Sequence, residues 1–136
     1  MKHSILYVDD EIENLRSFYA VFRRDYDIVT SSDPEEALEL ITQKQFDLIL
    51  SDQRMPGITG VQFLTKAGEI LGEKMPKSMI ISGYSPSDIA DEAFDKLDLF
   101  AFISKPWKEE YLREKMNEGI ELTNNLTAQS VSEPKE

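Results

Sequence analysis

Short apolar runs alternate with amphipathic stretches five times along this chain, and the two patterns differ in period. Ile5-Leu6-Tyr7-Val8, Leu48-Ile49-Leu50 and Met79-Ile80-Ile81 are unbroken, as strands buried on both faces must be, and Phe100-Ala101-Phe102-Ile103 is a further apolar run. Between them, Ile12, Leu15, Phe18, Tyr19 and Phe22 form one apolar stripe at helical spacing, and Ala37, Leu38 and Ile41 form another. The alternation predicts strands at 4–8, 27–31, 46–51, 78–82 and 100–104, each followed by a helix.

Local signals place the helix starts. Ser32-Asp33-Pro34-Glu35-Glu36 supplies a cap, an early proline and acids in the first turn, so the second helix begins there. A third runs from Val61 to Leu71 after the Pro56-Gly57 turn. The fourth opens at Ser85-Pro86-Ser87-Asp88 and carries Ile89, Ala93, Phe94 and Leu97. The fifth extends from Lys108 through Tyr111, Leu112, Met116 and Ile120. Phe18, Tyr19, Phe22 and Phe94 are expected in the core, Met75, Met79 and Met116 as gap fillers, and Trp107 as an anchor for the fifth helix with its N–H in water.

Five βα units imply an α/β sandwich, an open parallel sheet with right-handed crossovers and helices on both faces. The 136 residues suit one domain, spanning 1–123; residues 124–136 lack an apolar face and are expected to form a mobile tail or the start of a linker. Ligands of such sheets bind beyond the carboxyl ends of the strands, where the strand order reverses. A flavodoxin-like order of 2-1-3-4-5 would set strands one and three side by side, although spacing by itself leaves the order open.

Polar residues gather at those carboxyl ends. Asp9 and Asp10 follow strand one, Asp52 follows strand three, Ser82 ends strand four and Lys105 follows strand five. Carboxylates at one sheet edge repel unless a cation sits among them, and an acidic, oxygen-rich pocket beside a lysine suits Mg²⁺ and a phosphoryl group. A carboxylate is a modest nucleophile, so making an acylphosphate requires the incoming oxygens to be neutralised and held in line, tasks for a metal and Lys105. Ser82 offers one more hydrogen bond, and Gly83 leaves the approach open.

Taken singly, each residue has a plainer reading. Asp9 or Asp10 could cap the first helix, Asp52 could serve the Pro-Gly turn, Lys105 could be a surface lysine, and Ser82-Gly83 a strand-to-loop turn. Their joint placement at successive strand ends favours chemistry. His3 has no second histidine to join and reads as a solvated strand-end residue.

Charge narrows the partners. With 15 basic against 26 acidic side chains the net charge is −11, which argues against direct nucleic-acid binding or an anionic membrane. The absence of cysteine excludes a disulfide framework and a thiolate metal site, and suits a reducing compartment. The start leads directly into a strand without an apolar signal stretch, and no apolar run approaches the ~20 residues of a membrane span. A soluble, cytoplasmic protein is expected.

Tyr7-Val8-Asp9-Asp10-Glu11, Ser51-Asp52-Gln53-Arg54-Met55-Pro56-Gly57 with Gly60, Ile81-Ser82-Gly83 and Ser104-Lys105-Pro106, in this order, resemble the response-regulator receiver domain over residues 3 to 123. The resemblance implies a phosphorylation switch of two-component signalling rather than an enzyme, with only self-phosphorylation from a donor and autodephosphorylation as chemistry. Asp52 would accept a phosphoryl group from a histidine kinase, a histidine phosphotransfer protein or a small phosphodonor. Mg²⁺ or Mn²⁺ would bind Asp10, Asp52 and the Arg54 backbone carbonyl, with Asp9 assisting through water.

The same resemblance implies a cis Lys105-Pro106 bond that turns the ammonium toward Asp52. It makes Ser82 and Phe102 the switch pair, and the face of the fourth helix, fifth strand and fifth helix the surface read by an effector domain or protein, with a second copy of the chain as a further candidate. Ser82 stands where Thr is frequent; Arg54 is bulkier than usual, and it and Tyr84 occupy positions that tune phosphoryl lifetime. Two rival readings are a haloacid-dehalogenase-like phosphatase, whose second Asp is replaced here by Arg54, and a flavodoxin-like cofactor module, whose phosphate loop is replaced by the repelling Asp9-Asp10-Glu11.

Overall fold

The apolar runs become strands β1 (His3–Val8), β2 (Tyr26–Ser31), β3 (Leu48–Ser51), β4 (Ser78–Ser82) and β5 (Ala101–Ser104). Our computed structural model describes residues 2–83 and 99–125 in full and the backbone onward to Ser132; the fourth expected helix, with Tyr84 and Phe94, lies outside the described residues. The strands make one parallel sheet in the order β2-β1-β3-β4-β5, the flavodoxin-like arrangement expected. Among the described residues, helices α1 (Ile12–Phe22), α2 (Pro34–Gln43), α3 (Gly60–Leu71) and a C-terminal helix (Glu109–Ser132) cover it.

Successive strand side chains point to opposite faces, so the sheet divides the core in two. Ile5, Tyr7, Leu48, Leu50, Met79, Ile81 and Ile103 meet α1 and the C-terminal helix on one side. Leu6, Val8, Ile49 and Ile80 meet α2 and α3 on the other. Asp33 caps α2 by accepting the Glu35 N–H at 3.0 Å, and Pro34 opens its first turn, where a missing N–H costs nothing. Trp107 packs its indole against Phe22 and Phe18, with ring centroids 5.6 and 6.3 Å apart.

Several expectations need correction. Ile12 and Tyr19 are 50% and 46% exposed and do not join the core. At ~100° per residue they stand at the edge of the stripe centred on Leu15, Phe18 and Phe22, where the helix turns away from the sheet. Tyr111 is likewise exposed, beside the buried Leu112. Strand β3 begins at Leu48 rather than 46; Phe46 is buried from the preceding loop, and Asp47 donates its N–H to the Ser4 carbonyl at 2.8 Å. The C-terminal helix runs through residues read as tail to Ser132, because helical backbone bonding needs no apolar face and neither Gly nor Pro interrupts 120–132. No helix among the described residues is long and apolar enough to cross a membrane.

Candidate functional site

Backbone pairing continues one residue past the strand ends and brings the polar residues together. The Asp52 N–H donates to the Val8 carbonyl at 2.9 Å, Asp9 N–H to Ser31 at 3.2 Å, and Lys105 N–H to Ser82 at 2.9 Å. Asp9, Asp10 and Asp52 consequently each present a carboxylate oxygen within 4.8 Å of the others. Asp9 is wholly buried, Asp52 is 7% exposed and Asp10 is half-buried.

Asp9 is held by four donors. The Tyr7 hydroxyl, the Asn14 side-chain amide and the Lys105 ammonium donate to Oδ2 at 2.7, 2.9 and 3.2 Å, and the Glu11 N–H donates to Oδ1 at 2.9 Å. The Glu11 bond belongs to the turn before α1 and is not a helix cap: Glu11 is itself the N-cap residue, and no side chain caps that helix. Burial, and after it the charge of Asp9, push the Tyr7 phenol far above its ordinary range, so it stays protonated and donates to Asp9.

Lys105 is shared. Its Nζ lies 3.2 Å from Asp9 Oδ2 and 3.4 Å from Asp52 Oδ1, and the Lys105-Pro106 bond is cis. Burial pushes the Asp52 carboxyl up to about 6; the neighbouring Lys105 opposes that rise and Asp9 adds to it. Asp52 is therefore mainly ionised at neutral pH yet poorly solvated, a suitable state for a nucleophile.

The loop after Asp52 is fastened on both sides. Ser51 Oγ donates to the Asp52 carbonyl at 2.8 Å. Gln53 accepts the Gly60 N–H on its backbone carbonyl at 2.9 Å and the Val61 N–H on its side chain at 3.0 Å, satisfying two donors at the start of α3. Thr59 and Gln62 complete a reciprocal capping box there. Gly57, with φ +83°, makes the turn that a side chain would strain.

The remaining expected residues are dispersed around this centre. Ser82 is fully buried at the end of β4, in register with Ser104. Phe102 is half-buried on the α2/α3 side of the sheet, beside Ile80 in register. Arg54 is exposed, and Tyr84 lies outside the described residues. Tyr7, Asn14 and the Gln53 side chain went unnoticed in the sequence. Tyr7 carried one signal, a hydroxyl in an apolar run two residues before Asp9 and hence on the same face.

Comparison with known proteins gives this geometry its context. The response regulator receiver domain model matches residues 5–117. The hydrogenase transcriptional regulatory protein HoxA of Bradyrhizobium diazoefficiens is 34% identical over 119 residues, covering 88% of this chain but 24% of that protein. Sporulation initiation phosphotransferase F of Bacillus subtilis is 25% identical over 126 residues, covering 92% of this chain and 99% of that protein. A CheY-like receiver domain from Methanospirillum hungatei superposes with a TM-score of 0.81 at 26% identity, over 92% of this chain and 98% of that one. The chain spans about a quarter of the length of the HoxA relatives, 24% of each. With sheet order, carboxylate cluster and family match in agreement, the chain belongs to the response regulator receiver domain family of two-component signalling.

Proposed function

We propose that Asp52 is the phosphoacceptor of an Mg²⁺-dependent switch. The observation that carries the reading is the Asp52 carboxylate, 3.4 Å from Lys105 and within 4.8 Å of Asp9 and Asp10. An Asp52 oxygen forms a new P–O bond as the donor's P–N or P–O bond breaks, and the donor keeps that electron pair. Lys105 screens charge on the transferring group, while Asp9 holds the ammonium in place.

The donor set fits a hard divalent cation, since it is all oxygen, anionic and partly exposed through Asp10. Asp10, Asp52 and the Arg54 carbonyl would hold Mg²⁺ or Mn²⁺. Asp9, with its oxygens already engaged, suits an outer role. When bound, the ion supplies neutralisation of the phosphoryl oxygens.

The proposed switch runs through Ser82 and Phe102. A phosphoryl group on Asp52 adds roughly two negative charges and draws the Ser82 hydroxyl. Phe102, half-buried, rotates into the space released and alters the face around β5 and the C-terminal helix. Arg54 tunes the lifetime of the aspartyl phosphate, a role expected of Tyr84 as well, which lies outside the described residues. A histidine kinase or histidine phosphotransfer protein donates, and an effector domain, effector protein or second copy reads the face, all in the cytoplasm. The family match favours this over the phosphatase and cofactor-module readings.

Incubation with Mg²⁺ and acetyl phosphate, followed by intact mass, tests the acceptor. A single phosphate adduct that is absent from Asp52→Asn is expected; an equal adduct on that variant would overturn the assignment.

A further inference from the structure

Asp9 is the most heavily hydrogen-bonded carboxylate of the cluster, and its donors are unequal in kind. A carboxylate accepts at about four lone-pair sites, and four donors converge on this one. Lys105 is charged and shared with Asp52, and the Glu11 N–H belongs to the turn into α1. Tyr7 and Asn14 are neutral side chains with geometry of their own.

Tyr7 belongs to β1, where its ring is 1% exposed and packs on Phe18 with centroids 4.7 Å apart. Its hydroxyl makes the shortest bond to Asp9, at 2.7 Å, and would lose that bond if Asp9 turned away. Asn14 stands on the first turn of α1 and divides its amide between Asp9, at 2.9 Å, and Glu11 Oε1, at 2.8 Å. One donor is thus fixed to the sheet and the other to the helix. Together they hold Oδ2 from two directions.

We infer that Tyr7 and Asn14 are positioning residues, which keep the Asp9 carboxylate in one orientation toward a cation held by Asp10 and Asp52, and keep Lys105 shared between Asp9 and Asp52. The inference rests on the reading of the cluster as an Mg²⁺ site. Partners beyond the direct ligands fix ligand orientation, and losing one weakens metal binding by about tenfold or more. Without the Tyr7 hydroxyl, Asp9 has lost its shortest bond, and its carboxylate turns toward Lys105. The ammonium then follows Asp9 and leaves Asp52, so the cation meets a less ordered pocket.

Tyr7→Phe keeps the ring against Phe18 and deletes the hydroxyl; Asn14→Ala removes the second donor from a half-buried position and guards against a failure of the first variant to fold. Mg²⁺ binding to the unphosphorylated proteins is measured by calorimetry, and phosphorylation by acetyl phosphate is followed across Mg²⁺ concentration. The half-saturating Mg²⁺ concentration is expected to rise about tenfold in Tyr7→Phe and by a smaller factor in Asn14→Ala, with the rate at saturating Mg²⁺ restored. A merely structural role would lower the saturated rate and leave half-saturation unmoved. Unchanged or tighter Mg²⁺ binding in the folded variants overturns the inference. A wild-type protein that binds no Mg²⁺, or gains no phosphate on Asp52, overturns the underlying reading with it.

Discussion

Gly60 packs its bare Cα against the backbone of Asp52: a Cβ there would stand 2.3 Å from the Asp52 carbonyl oxygen and 2.8 Å from Ile80 Cδ1. The start of α3 is thereby pressed onto the proposed phosphoacceptor. Gly60→Ala is expected to lower stability by roughly 1 to 3 kcal/mol, as overpacking does, and to slow Asp52 phosphorylation by displacing its backbone. Gly68, on the same helix, has open space where its Cβ would go. Gly68→Ala is expected to stabilise by about 0.5 to 1 kcal/mol through helix propensity alone. Urea unfolding of both variants checks the contrast, and a stabilising Gly60→Ala would contradict it.

Asp52 yields a pH dependence with a definite sign. Its carboxyl is pushed from 3.8 up to about 6, so the folded protein binds that proton more tightly than the unfolded chain does. The associated stability is complete below pH 3.8 and is lost as pH rises through about 6. Two pKa units correspond to roughly 2 to 3 kcal/mol. Asp52→Asn, which cannot ionise, is expected to exceed wild type in stability by about that amount at pH 7.5 without Mg²⁺, with the difference closing toward pH 4. Denaturant titrations in chelator at several pH values measure it.

Mg²⁺ reverses part of that cost if Asp10 and Asp52 hold it. A ligand that binds only the folded state at a hundred times its Kd stabilises by about 2.7 kcal/mol. A rise in melting temperature with Mg²⁺ is expected for wild type and should be largely absent from Asp10→Asn, which removes an anionic ligand while leaving the Asp9 bonds intact. Equal thermal shifts in the two proteins would remove Asp10 from the metal site.

Arg113 clamps the C-terminal helix to the turn between α1 and β2. It reaches Asp25 at 2.6 Å and Glu109 at 2.9 Å, with its guanidinium 5.2 Å from the Phe22 ring centre. The acids are exposed, so the ring contact and packed stem matter more than the ion pairs. Arg113→Ala is expected to cost about 1 to 2 kcal/mol, whereas a double-mutant cycle with Asp25→Asn should return a coupling below about 1 kcal/mol. A larger coupling would reassign the clamp to electrostatics.

The sequence by itself determined the elements and the polar strand ends, because the signals for both are local. A strand buried on both faces must read as an unbroken apolar run, so β1, β3 and β4 were legible, and the acids after Val8 and Ser51 marked the carboxyl edge. A cap and an early proline act within one turn, so Asp33-Pro34 announced α2. What adjoins what was not local. That β1 lies between β2 and β3, setting Asp9 against Asp52, is settled by strand pairing across distant segments. The same limit hid Tyr7, whose apolar ring satisfied the core pattern while its hydroxyl's partner depended on which way the chain turned after Val8. It hid the exposure of Ile12 and Tyr19 too, since periodicity orders residues around a helix but only the packed sheet decides how far round that helix the core extends.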